Sequence, residues 1–154
     1  MATNPREPDA TDRRILQILQ EQGRISWAEL GRAVGLSAPA AAERVSRLER
    51  SGAITGYRAE VDPRAVGLAL TTVLRVRPSP GQLENVAQLA QRTPEVVECR
   101  RVTGDDCYVM TAHVRDVLHL EDVIDRFAVL GQTTTAIAQS SPVPRRGVAL
   151  GDGG

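Results

Sequence analysis

The chain has 154 residues, 42% of them hydrophobic and 25% charged, which suits one globular domain or two small ones with a real core. Its 19 basic residues, all Arg, balance 19 acidic ones, and Trp27, Tyr57, Tyr108 and Phe127 are all its aromatics, too few for the stacking platforms of a single-strand binder. No apolar run approaches the roughly 20 residues of a membrane span, the polar N-terminus lacks a signal-peptide core, and Cys99 and Cys107 fit no metal spacing, so a reduced, cytoplasmic protein is expected.

Residues 1–9 read as a flexible tail. A helix over Ala10–Gln22 follows, capped by Asp9, with Asp12 favoured in its first turn by the helix dipole and Ile15, Leu16, Ile18 and Leu19 forming an apolar stripe. Ser26 and Glu29 then make a capping box for a short helix that turns Leu30, Ala33 and Val34 inward and stops at Gly35. Ser37 caps the next helix, Pro39 sits in its first turn where a missing N–H costs nothing, Ala41, Val45 and Leu48 form its stripe, and Gly52 ends it. Two short helices about a glycine-containing turn make a helix-turn-helix, and the first helix closes a winged-helix-like core expected to include Trp27 with Leu30 and Leu48, since Trp is mostly buried. Ile54–Val61 reads as extended, and residues 61–67, broken by Asp62-Pro63, as a linker.

In a helix-turn-helix the second helix enters the DNA major groove. Residues 24–58 hold six Arg against three Glu, a modest basic excess. A capped helical hairpin also occurs in domains that bind only protein, so that reading stays open. The exposed start of the recognition helix, Ala38, Pro39, Ala40 and Ala42, lacks donors for base edges. Specificity is therefore expected from Arg47, a few methyl contacts and DNA shape, with Ser37, Arg44 and Arg50 nearer phosphates. Arg44 has a second role open to it, bracing against Glu49 or the first helix.

The second half changes period. Leu68–Val76 is β-rich, Pro78-Ser79-Pro80 marks a loop, and Leu83, Val86, Ala87 and Ala90 recur at helical spacing up to Pro94. Val96–Thr103 and Cys107–Val114 flank the turn Gly104-Asp105-Asp106 as a hairpin. Leu120, Val123 or Ile124, Phe127 and Leu130 mark another helix, and Thr133–Ser140 another strand. The order β-α-β-β-α-β predicts a ferredoxin-like domain over 68–145 behind a helix-turn-helix domain over 10–60, an α+β chain. Pro- and Gly-rich residues 146–154 read as a flexible tail.

With both halves read, the chain resembles the Lrp/AsnC family of leucine-responsive, or feast/famine, regulators over about residues 9–145. The likeness rests on D-A-T-D-R-R-I-L, G-R-I-S-W-A-E-L-G-R-A-V-G-L-S, R-V-S-R-L-E-R-S-G-A-I-T-G-Y, D-P-R-A-V-G and E-V-V-E-C-R-R-V-T-G-D, in that order. It implies a sequence-specific transcription regulator of double-stranded DNA, without enzymatic activity or cofactor. It implies a homodimer formed through the ferredoxin-like domain and assembling further, to an octamer, with a small-molecule effector, an amino acid favoured, held between dimers. One departure is Cys107, which stands where the family's G-D-x-D-Y turn has its second Asp.

An effector site is expected from Gly104, Asp105, Asp106 and Tyr108 of the turn and the facing Thr133 and Thr135. Gly104 permits close backbone approach, the carboxylates suit an α-ammonium, and the hydroxyls suit a carboxylate. Acidic residues also shape solvated turns, and a threonine run also follows from strand propensity. His113 and His119 are not at metal spacing, so no metal site is expected, and Cys99 reads as a small buried hydrophobe. No nucleophile–base pair or Gly-rich phosphate loop is present. The rival to a regulator is a stand-alone sensor or small enzyme on the ferredoxin-like half, with the helix-turn-helix used for assembly.

Overall fold

A computed structural model describes residues 7–151. The elements are α1 (Ala10–Glu21), α2 (Trp27–Val34), α3 (Ala38–Arg50), a 3-10 turn (Pro63–Val66), β1 (Leu70–Pro78), α4 (Leu83–Arg92), β2 (Val96–Arg101), β3 (Tyr108–Val114), α5 (Val117–Ala128) and β4 (Gly131–Ile137). They fall into two compact units, one of residues up to 59 together with those from 143 on, the other Glu60–Pro142. No helix among the described residues is long and apolar enough to cross a membrane.

The first unit is built by its caps. Asp9 accepts from the Asp12 N–H at 2.8 Å, and Ser26 Oγ from the Glu29 N–H at 3.3 Å while the Ser26 N–H donates back to Glu29 at 3.1 Å. Gly35 takes the left-handed conformation at φ 70°, and the Leu36 N–H closes on the Gly31 carbonyl at 2.8 Å. Gly31 is the tight point of this turn: a Cβ there would lie 2.7 Å from the Leu36 carbonyl oxygen, so only glycine lets α2 approach the chain entering α3. Ser37 then caps α3 through the Ala40 N–H. Ile15, Ile18, Leu30, Ala41, Val45 and Leu48 are the buried core. Trp27 is not in it. The side chain is 48% exposed, because Trp27 opens α2, ahead of the inward stripe of Leu30, Gly31 and Val34, and overhangs the end of the core. Ala33, expected inward, is exposed as well.

The second unit is a four-stranded antiparallel sheet in the order β2-β3-β1-β4, as a βαββαβ chain requires. Alternation along β1 sends Thr72, Leu74 and Val76 to one face, where Val86 and Ala90 of α4 and Leu120, Val123 and Phe127 of α5 cover them. Thr71, Val73, Arg75 and Arg77 point to the other face. A bulge at Val97 interrupts the pairing of β2 with β3. Cys99 is exposed rather than buried. It pairs with Met110 on the helix-covered face, but on an edge strand, where it lines an open groove of about 470 Å³ with Ala87, Ala90, Gln91 and Tyr108.

One polar cluster locks the start of α5. Asp116 caps the helix through the His119 N–H at 2.8 Å. The Arg115 N–H donates to His119 Nδ1, which leaves the neutral ring's proton on Nε2, 2.8 Å from Glu95 Oε1. Arg126 closes on the same carboxylate with both terminal nitrogens, at 3.1 and 3.2 Å. That guanidinium, with the His119 ring behind it, holds the Glu95 carboxyl down at about 2 against the cost of burial. His119 is thereby a buried structural residue, and no His, Cys, Asp and Glu group among the described residues has the spacing to hold a metal.

Candidate nucleic-acid interface and effector site

The first turn of α3 is open to a partner. Ser37, Pro39 and Ala40 are exposed and Ala38 is half-buried, while the stripe of Ala41, Val45 and Leu48 faces inward. The face offers one hydroxyl, already turned to the Ala40 N–H, and otherwise methyl and ring carbons. Its cations lie one and two turns further along, where they are held in place. Arg44 Nη1 donates to Asp9 Oδ2 at 2.7 Å and to Asp12 Oδ1 at 2.8 Å. Arg47 Nη2 reaches both oxygens of Asp12, at 3.1 and 3.0 Å. Asp12 is buried, and two guanidiniums compensate its charge. The Arg44 guanidinium, with the Asp12 N–H, also holds the Asp9 carboxyl below its ordinary range. Of the two openings left to Arg44, the brace onto the first helix is the one formed, and Arg47 shares it with half its side chain still in water. Arg50 lies outside this clasp, on Ser46 and Glu43 at the surface.

Asp12 is the residue that local reading undervalues. As the N3 residue of a helix it needs no partner beyond the cap, and its arginines stand 32 and 35 positions away. The clue in the sequence is an acid at the third residue of a stripe-bearing helix, one turn before the buried Ile15.

In the second unit the hairpin turn is positioned by the Val102 N–H on the Cys107 carbonyl and by Cys107 itself, which takes the left-handed conformation at φ 59°. Gly104 and Asp105 are exposed and Asp106 half-buried. Their carboxylates have neighbours that spacing alone did not single out. Arg77 donates through Nε to the Asp105 carbonyl at 2.9 Å and pairs with its carboxylate at 3.1 Å, and Arg75 lies 3.6 Å from Asp106. Arg75 and Arg77 alternate onto the uncovered face of the sheet. Thr133 and Thr135 lie across from Val76 and Leu74, on the helix-covered face. Tyr108 is buried among α4 and α5, its hydroxyl donating to the Leu83 carbonyl at 3.2 Å. Within one copy the turn's acids and the threonines thus address opposite faces of the sheet.

A helix-turn-helix unit with an open recognition-helix start, followed by a separate βαββαβ unit, defines a DNA-binding transcription regulator with a sensing domain. The family model for the AsnC-type helix-turn-helix domain matches residues 9–49, and that for the Lrp/AsnC ligand binding domain matches residues 71–148. The chain belongs to the Lrp/AsnC family and is a DNA-binding regulator that senses a small molecule. It is similar to the HTH-type transcriptional regulator YezC of Bacillus subtilis, at 40% identity across 86% of this chain and 94% of that one. It is also similar to the leucine-responsive regulatory protein of Escherichia coli, at 39% identity across 71% of this chain and 68% of that one. The structure of B. subtilis LrpC superposes with a TM-score of 0.84 at 30% identity, covering 89% of this chain and 98% of that one. A Neisseria meningitidis regulator in complex with L-Met superposes at 0.83 and 27% identity, covering 90% and 93%.

Proposed function

We propose that this regulator answers to an amino acid, held at the Gly104–Tyr108 turn. The carrying observation is the pairing of Asp105 with Arg77 and of Asp106 with Arg75 on an exposed turn, two carboxylates beside two guanidiniums. A zwitterion matches that set, its ammonium on the acids and its carboxylate on the arginines. The L-Met bound to the N. meningitidis relative and the name of the E. coli relative support the same ligand class. Thr133 and Thr135 join the site where it lies at a sheet edge or between copies. A homodimer, with assembly up to an octamer, supplies such a position and covers the sheet face on which Arg75, Arg77 and Val73 stand. DNA is read by Ala38, Pro39 and Ala40 through methyl contact and shape, with Ser37, Arg44, Arg47 and Arg50 toward phosphates and base edges. The protein acts in the cytoplasm, without cofactor and without catalysis.

A thermal-shift screen of the amino acids tests the site. A ligand at about a hundred times its dissociation constant stabilises by about 2.7 kcal/mol, and that gain disappears in Asp105→Ala and Arg77→Ala with folding intact. No shift from any amino acid at saturating concentration sinks the amino-acid reading. An undiminished shift in both variants moves the site elsewhere.

A further inference from the structure

Beyond β4 the chain leaves the second unit and returns to the first. There it meets α1 in register. Gln20 on α1 engages Val148 through both ends of its amide: the Val148 N–H donates to Oε1 at 2.6 Å and Nε2 donates to the Val148 carbonyl at 3.2 Å. A side chain here does what a neighbouring β-strand residue does for its partner. Seven residues earlier on the same side of α1, Arg13 Nη1 donates to the Gly151 carbonyl at 3.4 Å. The spacing is self-consistent. Two helical turns from Gln20 back to Arg13 cover about 10 Å, and three extended residues from Val148 to Gly151 cover about the same. The strand therefore runs antiparallel to the helix. Gly147 makes the approach possible, because a Cβ at that position would strike the Gln20 side chain. Leu150 is half-buried, although its neighbours Val148, Ala149 and Gly151 are exposed.

We propose that residues 143–151 form a strap, a second connection from β4 to the DNA-binding unit that bypasses the 60–67 segment and braces α1. Because α1 carries Asp12, which holds Arg44 and Arg47 of the recognition helix, the brace keeps those guanidiniums preorganised. These contacts to α1 are independent of which effector the turn accepts.

Amide hydrogen exchange on the full chain reads the docking directly. In the wild type the Val148 N–H exchanges about tenfold or more slower than an unstructured amide. It returns to the unstructured rate in Gln20→Ala, which removes both bonds, and in Gly147→Val, which keeps Gln20 and blocks the approach. The Val45 amide, in the core of α3, stays protected in both and certifies folding. Binding of a generic duplex at low salt, where phosphate contacts dominate, reads the brace. Affinity falls about threefold in both variants and in a chain ended at Pro142, and combining Gln20→Ala with the truncation adds nothing further. Val148 exchanging freely in the wild type overturns the docking. Unchanged duplex affinity in all three overturns the brace.

Discussion

Asp12→Ala is the substitution with the most to say about how the DNA-binding unit is assembled. The carboxylate is buried, accepts from Arg44 at 2.8 Å and from Arg47 at 3.0 and 3.1 Å, and takes the Asp9 N–H at 3.4 Å. Removing one member of a fully buried ion pair costs about 3–5 kcal/mol, because the other charge is stranded. Here the stranding is partial. Arg44 keeps its 2.7 Å bond to Asp9, and Arg47, with 49% of its side chain in water, turns outward at little cost. What is lost is the charge-assisted bond to Arg44 and half of the cap, about 2–3 kcal/mol together. For a unit of this size that lowers the melting temperature by roughly 10–20 °C. Differential scanning calorimetry, which separates the transitions of two units, is the assay. Asp12→Asn, with the shape kept and the charge gone, falls between wild type and alanine, and Asp9→Ala loses about 1 kcal/mol, an exposed cap's share. If Asp12→Ala melts within about 2 °C of wild type, the clasp is ornamental and Asp12 does not hold the two arginines in place.

Acid should weaken the second unit in a defined window. The folded Glu95 sits at about 2 against an ordinary 4.5, so its stabilisation is complete above about pH 4.5 and drains away as pH falls toward 2. Urea midpoints at pH 6 and pH 3 measure it, with a loss of about 2 kcal/mol in the wild type that Glu95→Gln no longer shows. Gly31→Ala forces a methyl onto the Leu36 carbonyl and should cost about 1–3 kcal/mol by parting α2 from the entry to α3, seen as a lower first calorimetric transition. Arg50→Ala removes only exposed contacts, with Glu43 and Ser46, so stability stays within about 0.5 kcal/mol while the salt dependence of duplex binding loses about one unit of slope.

The helix boundaries and the βαββαβ order were legible because their signals are local. Ser26 with Glu29, Ser37 with Pro39, and the two-residue alternation of β1 each act within a turn or a strand of their own position. What escaped was decided at long range or at an element's end. Trp27 is the kind of residue that cores recruit, yet at the first position of α2 it stands ahead of the inward stripe and stays half in water. Cys99 faces the correct side of the sheet, on an edge strand where the groove beside α4 stays open. Arg44 and Arg47 look free on the helix surface until Asp12 is brought to them, and Asp105 and Asp106 look like bare acids until β1 delivers Arg77 and Arg75. Strand alternation puts Thr133 and Thr135 on a common face, and the register supplies which face that is.

The exposed Trp27 gives the molecule an optical handle. It is the only tryptophan in the chain, and it stands on the first turn of α2 in the unit that meets DNA. Excited selectively, the unlabelled protein emits from one half alone, and Tyr108 in the other half stays dark at that wavelength. A half-solvated indole also shifts colour when a surface closes over it, so a titration with duplex can be followed without dye or tag. Emission and helical ellipticity recorded on one sample then tell apart the loss of the DNA-binding half from that of the sheet.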